Sequence, residues 1–134
     1  MSMPNPKRTA VRVQKVRLYP DVEMKQVLDE LCDYRRYCWN EALALWNDMY
    51  EQSLILDDRK SRPSEYKVRN ELVAEKQDWQ YALSARVLQL SVSDLNKAFR
   101  NFFDKAQTDW GKPKFKSKKA PRQGFKTDRA RIVN

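Results

Sequence analysis

Histidine is missing from this sequence altogether, and with it the commonest general base and metal-ligating side chain. Only two cysteines are present, Cys32 and Cys38. Their spacing matches neither a CxxC pair nor an i, i+4 pair, so they read as reduced thiols on a helix rather than as a disulfide or zinc framework. Glycine is equally scarce: Gly111 and Gly124 are the whole supply, which excludes a Gly-rich loop that cradles phosphate. No apolar run approaches the roughly 20 residues that cross a bilayer. The stretch from Met1 to Lys15 has no apolar segment of a secretory signal, so a cytoplasmic location is expected. Serine nucleophiles have no histidine partner. Most carboxylates fall on the outward faces of expected helices, and Asp57-Asp58 is an adjacent pair in a connector, where two side chains rarely converge on one ion. No catalytic constellation and no metal site is expected in these residues.

What the sequence does contain is charge. The chain has 134 residues, of which 34% are charged and 41% hydrophobic, with four Trp, six Tyr and five Phe for a modest core. That length fits one domain or two very small ones. The net charge is +9, distributed as +5 over residues 1–20, −4 over residues 21–110 and +8 over residues 111–134. Two basic ends therefore flank a mildly acidic centre. Clustered positive charges repel one another unless a polyanion neutralises them, which points to nucleic acid. The alternative is a pair of solvated tails that keep the protein soluble.

Residues 1–9 read as a disordered N-terminus. Residues 10–19 (AVRVQKVRLY) are strand-like, with a slip in the alternation near Gln14-Lys15. Asp21 is a plausible N-cap for a long helix whose apolar residues recur at spacings of three and four from Met24 to Tyr50, either unbroken or interrupted near Asp33–Arg36. Residues 54–63 read as a polar connector. Ser64 can cap a second helix running to about Lys76, with Tyr66, Val68, Leu72 and Val73 inward. Residues 77–83 read as a packed turn. Ser84 can cap a third helix running to about Gln107, with Val87, Leu88, Val92, Leu95, Ala98, Phe99, Phe102 and Phe103 inward. The Phe102–Phe103 pair and the Trp39/Trp46 pair are assigned to the core rather than to base stacking. Beyond Gly111 comes KPKFKSKKAPR, in which lysine alternates with other residues around Phe115. Basic residues interleaved with Phe115 and Phe125 suit phosphate neutralisation with an aromatic that stacks on a base or anchors the loop, although both phenylalanines equally suit a core. Residues 124–126 and 130–133 look like starts of short strands, and a strand cut off at Asn134 suggests that the chain continues in a longer protein.

Several of these stretches together resemble the N-terminal part of the TnpB (OrfB) family of insertion-sequence proteins, related to the type V CRISPR effectors. The matching pieces are Val16-Arg17-Leu18-Tyr19-Pro20; Leu28 through Tyr37-Cys38-Trp39-Asn40-Glu41-Ala42-Leu43; Ser84-Ala85-Arg86-Val87-Leu88-Gln89; Leu95-Asn96-Lys97-Ala98-Phe99-Arg100-Asn101-Phe102-Phe103; and Lys112-Pro113-Lys114-Phe115-Lys116-Ser117-Lys118. The resemblance implies a mainly α fold: a three-helix or four-helix recognition bundle inserted between short β strands of an incomplete, barrel-like wedge domain. It assigns residues 10–20 to the first wedge strand, 21–110 to the helical recognition domain, and 111–134 to a basic loop and returning wedge strands. It further implies a prokaryotic RNA-guided DNA endonuclease whose partners are guide RNA and target DNA. The family's RuvC-like nuclease domain, where Mg is expected, has no counterpart in these residues, so this chain should be inactive alone and carry no cofactor. The resemblance assigns DNA contacts to Tyr66, Arg86, Gln89, Lys126 and Thr127. Arg12, Lys15, Arg17, Lys112, Lys114, Lys116, Lys118, Lys119 and Arg122 are the expected RNA or phosphate contacts. Base pairing supplies most of the specificity in such systems, and the protein reads a short flanking motif. Two rivals are a stand-alone helix-turn-helix DNA-binding regulator, using the first and third helices, and a protein-interaction module without nucleic-acid affinity.

Overall fold

The computed structural model describes residues 15–104, 106, 111–119 and 123–125. Three α-helices account for most of them: α1 (Val22–Leu56), α2 (Glu65–Ala74) and α3 (Ala85–Phe103). No strand occurs among the described residues; residues 15–20 have no regular structure, and residues 10–14 and 126–134 of the expected wedge strands lie outside the description.

The helix α1 starts where Asp21 Oδ1 accepts a hydrogen bond from the Met24 amide at 2.8 Å, and Glu23 sits in its positively polarised first turn. It runs 35 residues without a break, about 52 Å at 1.5 Å per residue. Of the two readings left open, the unbroken helix is the one found; the turn at Asp33–Arg36 is bridged by an Arg36–Asp33 ion pair at 2.8 Å. The helix also runs past the expected boundary to Leu56, where Asp57 adopts a left-handed conformation (φ 49°) as C-cap. Asp58 then accepts hydrogen bonds from the Lys60 amide and the Ser61 hydroxyl, closing the 3-10 turn Arg59–Ser61. The Asp57-Asp58 pair is thus a helix-stop and turn device. Ser64 accepts from the Lys67 amide and caps α2 as expected. Ser84 occupies the N-cap position of α3 without a side-chain capping bond.

Contacts fix the topology. Leu72, Cys38 and Leu88 meet around one cleft, and Pro63, Trp46 and Phe99 around another, so α1 and α3 run in the same direction with α2 against them. The core is formed by Tyr34, Cys38, Trp39, Ala42, Leu43 and Trp46 from α1, Val68 and Leu72 from α2, and Val87, Leu88, Val92, Leu95 and Phe99 from α3. The 3-10 segment Asp78–Ala82 closes one end, where Gln80 Nε2 donates to the Tyr34 hydroxyl at 3.5 Å. Burial pushes the Tyr34 hydroxyl and the Cys38 thiol each up to about 12.

Four expectations need correction. The helices α2 and α3 end at Ala74 and Phe103, short of Lys76 and Gln107. Tyr66 and Val73 face outward; only Val68 and Leu72 of α2 reach the core. Met24, Val27 and Tyr50 of α1 are exposed because no described element covers the ends of so long a helix. Phe102 and Phe103 are exposed at the end of α3, 37% and 65% respectively, because the bundle stops there while the helical apolar periodicity continues.

Candidate nucleic-acid interface

A basic loop lies across α1, and two adjacent α1 side chains hold it there. Trp39 Nε1 donates to the Lys114 carbonyl at 2.8 Å. Asn40 bonds the Lys116 backbone in both directions, donating Nδ2 to its carbonyl at 3.0 Å and accepting its amide on Oδ1 at 2.7 Å. A primary amide carries both a donor and an acceptor, so Asn40 imitates a neighbouring strand for one residue of the loop. The Lys116 ammonium lies 4.3 Å from the centre of the Trp39 ring, a cation–π contact. Residues 39–40 and 114–116, read from the sequence as separate stretches, are one structural unit.

The loop continues in the same manner. Ser117 Oγ accepts from the Lys119 amide, and Gln123 Nε2 donates to the Ser117 carbonyl at 3.2 Å. Gln123 Oε1 accepts in turn from Arg36 at 3.2 Å. Phe125 packs against the core, whereas Phe115 is exposed, so the two phenylalanines the sequence left ambiguous separate into an anchor and a surface residue.

Cys32, Arg35, Arg36, Trp39, Lys114, Lys116 and Gln123 help line a cleft of about 440 Å³ between loop and helix. Arg35 pairs with Asp94 of α3 at 3.8 Å. Burial pulls the Lys116 ammonium below its ordinary pKa, and the neighbouring Arg35 pulls in the same direction, with Asp94 opposing. An anion in the cleft offsets the smaller contribution, from Arg35, and leaves the larger one, burial, in place. Arg35 and Arg36 face the loop, while Tyr37 and Glu41 face a cleft shared with Glu75 of the α2 end. Glu75 is raised by its hydrogen bond and proximity to Glu71, then by slight burial and Glu41. Both arginines are matched by carboxylates, Arg35 by Asp94 and Arg36 by Asp33, so the exposed positive charge beside the cleft comes from the loop lysines.

The expected contact residues separate into groups. Lys112, Lys114, Lys118 and Lys119 expose their side chains around the loop, and Lys116 is half-buried over Trp39. Lys15 and Arg17 are exposed before α1, with the Arg17 guanidinium 5.4 Å from the Tyr19 ring. Arg86 and Gln89 share one face of α3 and bond to each other, Arg86 Nη1 donating to Gln89 Oε1 at 2.6 Å. Tyr66 is exposed on α2 beneath the Arg69 guanidinium at 5.8 Å. Arg12, Arg122, Lys126 and Thr127 lie outside the described residues. Sequence reasoning missed Arg35, Arg36 and the clamp Trp39-Asn40. No local signal marked them: Arg36 and Asn40 are polar positions one turn apart on α1, and the partner of Asn40 lies 76 residues later. Among the described residues no group of three or more Cys, Asp or Glu gathers at metal-binding distance. No described helix is long and apolar enough to cross a membrane.

Residues 11–54 match the family model of a helix-turn-helix domain of the IS605 OrfB type. The described part of that region is a segment without regular structure, residues 15–20, followed by the unbroken α1. Comparison with curated proteins and with solved structures returns no match.

Proposed function

We propose, from the match of residues 11–54 to the helix-turn-helix domain model of IS605-type OrfB proteins, that the chain is the nucleic-acid-binding N-terminal portion of a TnpB-like RNA-guided DNA endonuclease. Guide RNA and target-flanking duplex DNA are its partners. Lys112, Lys114, Lys116, Lys118 and Lys119, with Arg12, Lys15, Arg17 and Arg122, neutralise backbone phosphates and supply affinity without sequence discrimination. Arg86 and Gln89 read base edges of the flanking duplex, as Arg suits guanine and Gln suits adenine. Tyr66, Lys126 and Thr127 lie against the same DNA. In this reading residues 10–20 and 111–134 belong to the wedge domain, and cleavage belongs to a nuclease domain these residues do not supply.

The observation that carries the reading is the two-way bond between Asn40 and the Lys116 backbone. A solvated tail needs no such anchorage, whereas a surface that grips phosphates must hold its cations in place before the polyanion arrives. The exposed side chains of Lys112, Lys114, Lys118 and Lys119 around the anchored loop support the same conclusion.

The test is titration of the 134-residue chain with a hairpin RNA and a duplex of about 30 base pairs across a salt series. A Lys114/Lys116/Lys118→Ala triple variant is expected to bind both more weakly and to flatten the dependence of affinity on salt, by about one unit of log–log slope for each phosphate no longer engaged. Equal binding by variant and wild type at every salt concentration refutes the assignment and makes the loop a solubility element. Sequence-specific duplex binding by the chain without RNA favours a stand-alone DNA-binding regulator instead.

A further inference from the structure

The apolar end of the bundle carries an unusual set of rings. Trp46 and Phe99 are stacked in the core with centroids 4.7 Å apart and planes 8° from parallel. Phe103 continues the stack from Phe99 at 6.3 Å and 18°. Trp46 and Phe99 are 8% and 4% exposed, and Phe103 is 65% exposed. Three near-parallel rings therefore rise out of the core, and the outermost one faces solvent. Phe102 leans on it at 5.1 Å, tilted by 59°, which fixes its orientation from the side.

Trp46, Phe99, Phe102 and Phe103 line a cleft of about 540 Å³ that also receives Arg62 and Lys112, and none of its described lining residues is a carboxylate. Lys112 is the first lysine of the basic loop, so the cleft begins where the candidate phosphate-binding surface begins. An apolar aromatic floor with two cations at its rim, and with Asp104 lining the neighbouring cleft rather than this one, is complementary to one kind of occupant: a flat aromatic group attached to a negatively charged backbone.

We propose that Phe103 is a stacking platform for an unpaired nucleobase of a single-stranded segment, with Lys112 and Arg62 holding the flanking phosphates. The proposal rests on the nucleic-acid reading above and adds to it a place where bases, not only phosphates, are engaged. Every base has a π-face, so the platform favours single strands over duplexes without selecting sequence. An aliphatic protein segment would bury the same surface but gains nothing from the parallel rings or the cationic rim.

The experiment separates bases from backbone. The full chain is titrated with fluorescein-labelled dT20, with a strand of the same length in which the bases are replaced by abasic sites, and with a duplex of the same length. Wild type is expected to bind dT20 roughly tenfold more tightly than the abasic strand, a magnitude typical of one or two stacked bases. Phe103→Leu keeps an apolar side chain of similar bulk but removes the ring. It should bring dT20 down to the abasic level while leaving abasic and duplex binding unchanged, and Phe103→Trp should restore the difference. Far-ultraviolet circular dichroism of each variant confirms that the bundle is intact; because Phe103 is exposed, folding should survive both changes. If dT20 and the abasic strand bind wild type equally, or if Phe103→Leu leaves dT20 unaffected, the platform is refuted while the phosphate surface stands. If no strand binds at low salt, the nucleic-acid reading itself falls, and the exposed rings belong to a protein contact.

Discussion

Replacing Asn40 by Ala removes the two hydrogen bonds, at 3.0 and 2.7 Å, that hold the Lys116 backbone. Each is a neutral, partly buried bond, worth about 0.5–1.5 kcal/mol net. The expected loss of stability is therefore about 1–3 kcal/mol if the loop stays in place without its partner. It is smaller if the loop detaches and its backbone is rehydrated, because water then satisfies Lys116. Trp39 still bonds the Lys114 carbonyl in this variant, so the loop frees itself mainly beyond residue 114. The cations released are Lys116, Lys118 and Lys119. Each engaged phosphate contributes about 0.9 to the log–log salt slope on duplex DNA. Because a mobile cation still meets phosphate part of the time, the slope is expected to fall by about 1–2 rather than by the full contribution of three. Urea denaturation gives the stability change, and duplex binding between low and moderate salt gives the slope. Trp39→Phe provides the control: it deletes the bond to Lys114 but retains a ring beneath Lys116. If Asn40→Ala lowers the urea midpoint while leaving affinity and salt slope untouched, Asn40 only packs the fold, and the reasoning that links loop anchorage to phosphate binding is refuted.

Two further expectations concern α3 and the core. Arg86→Ala and Gln89→Ala should each relax the choice of flanking motif in a randomised-duplex selection, at about 1–3 kcal/mol, the worth of a bidentate bond to a base edge. Because the two side chains bond to each other, the double variant should be impaired by less than the sum of the singles; strict additivity or unchanged motif choice contradicts the assignment. Alkaline pH should destabilise the bundle. Cys38 and Tyr34 are held protonated by burial, their pKa values raised from 9.0 and 10.0 to about 12. Their contribution is complete below the unfolded values and disappears as pH rises through the folded ones. The urea midpoint should thus fall between about pH 9 and pH 12, and Cys38→Ser should reduce that fall; a midpoint flat over this window contradicts the buried-thiol account.

The helices were legible because their signals are local. Asp21 and Ser64 cap where the sequence places caps, and the helical periodicity of Val87, Leu88, Val92, Leu95 and Phe99 names the inward face of α3 correctly. Boundaries were less legible where tertiary structure decides them. Periodicity marks Phe102 and Phe103 as inward, but no described element reaches far enough along α3 to cover them. Tyr66 fails for the same reason, since a ten-residue helix offers only a narrow contact stripe, filled by Val68 and Leu72. The basic loop was legible as charge but not as a structure. Its anchorage joins Trp39 and Asn40 to residues about 75 positions later, and no local pattern encodes such a contact. The arginines Arg35 and Arg36 were hidden for the opposite reason: on a long polar helix they read as solvated surface until the loop is seen beside them.

Lysine acetylation footprinting of the unmodified full chain, with and without a hairpin RNA or duplex DNA at low salt, tests the phosphate-gripping loop most directly. Lys25 and Lys97, exposed on α1 and α3, serve as internal references. Bound nucleic acid should suppress acetylation at Lys112, Lys114, Lys118 and Lys119 and leave Lys25 and Lys97 unchanged. Acetylation that stays the same at the loop while falling elsewhere, or that falls uniformly along the chain, contradicts the account.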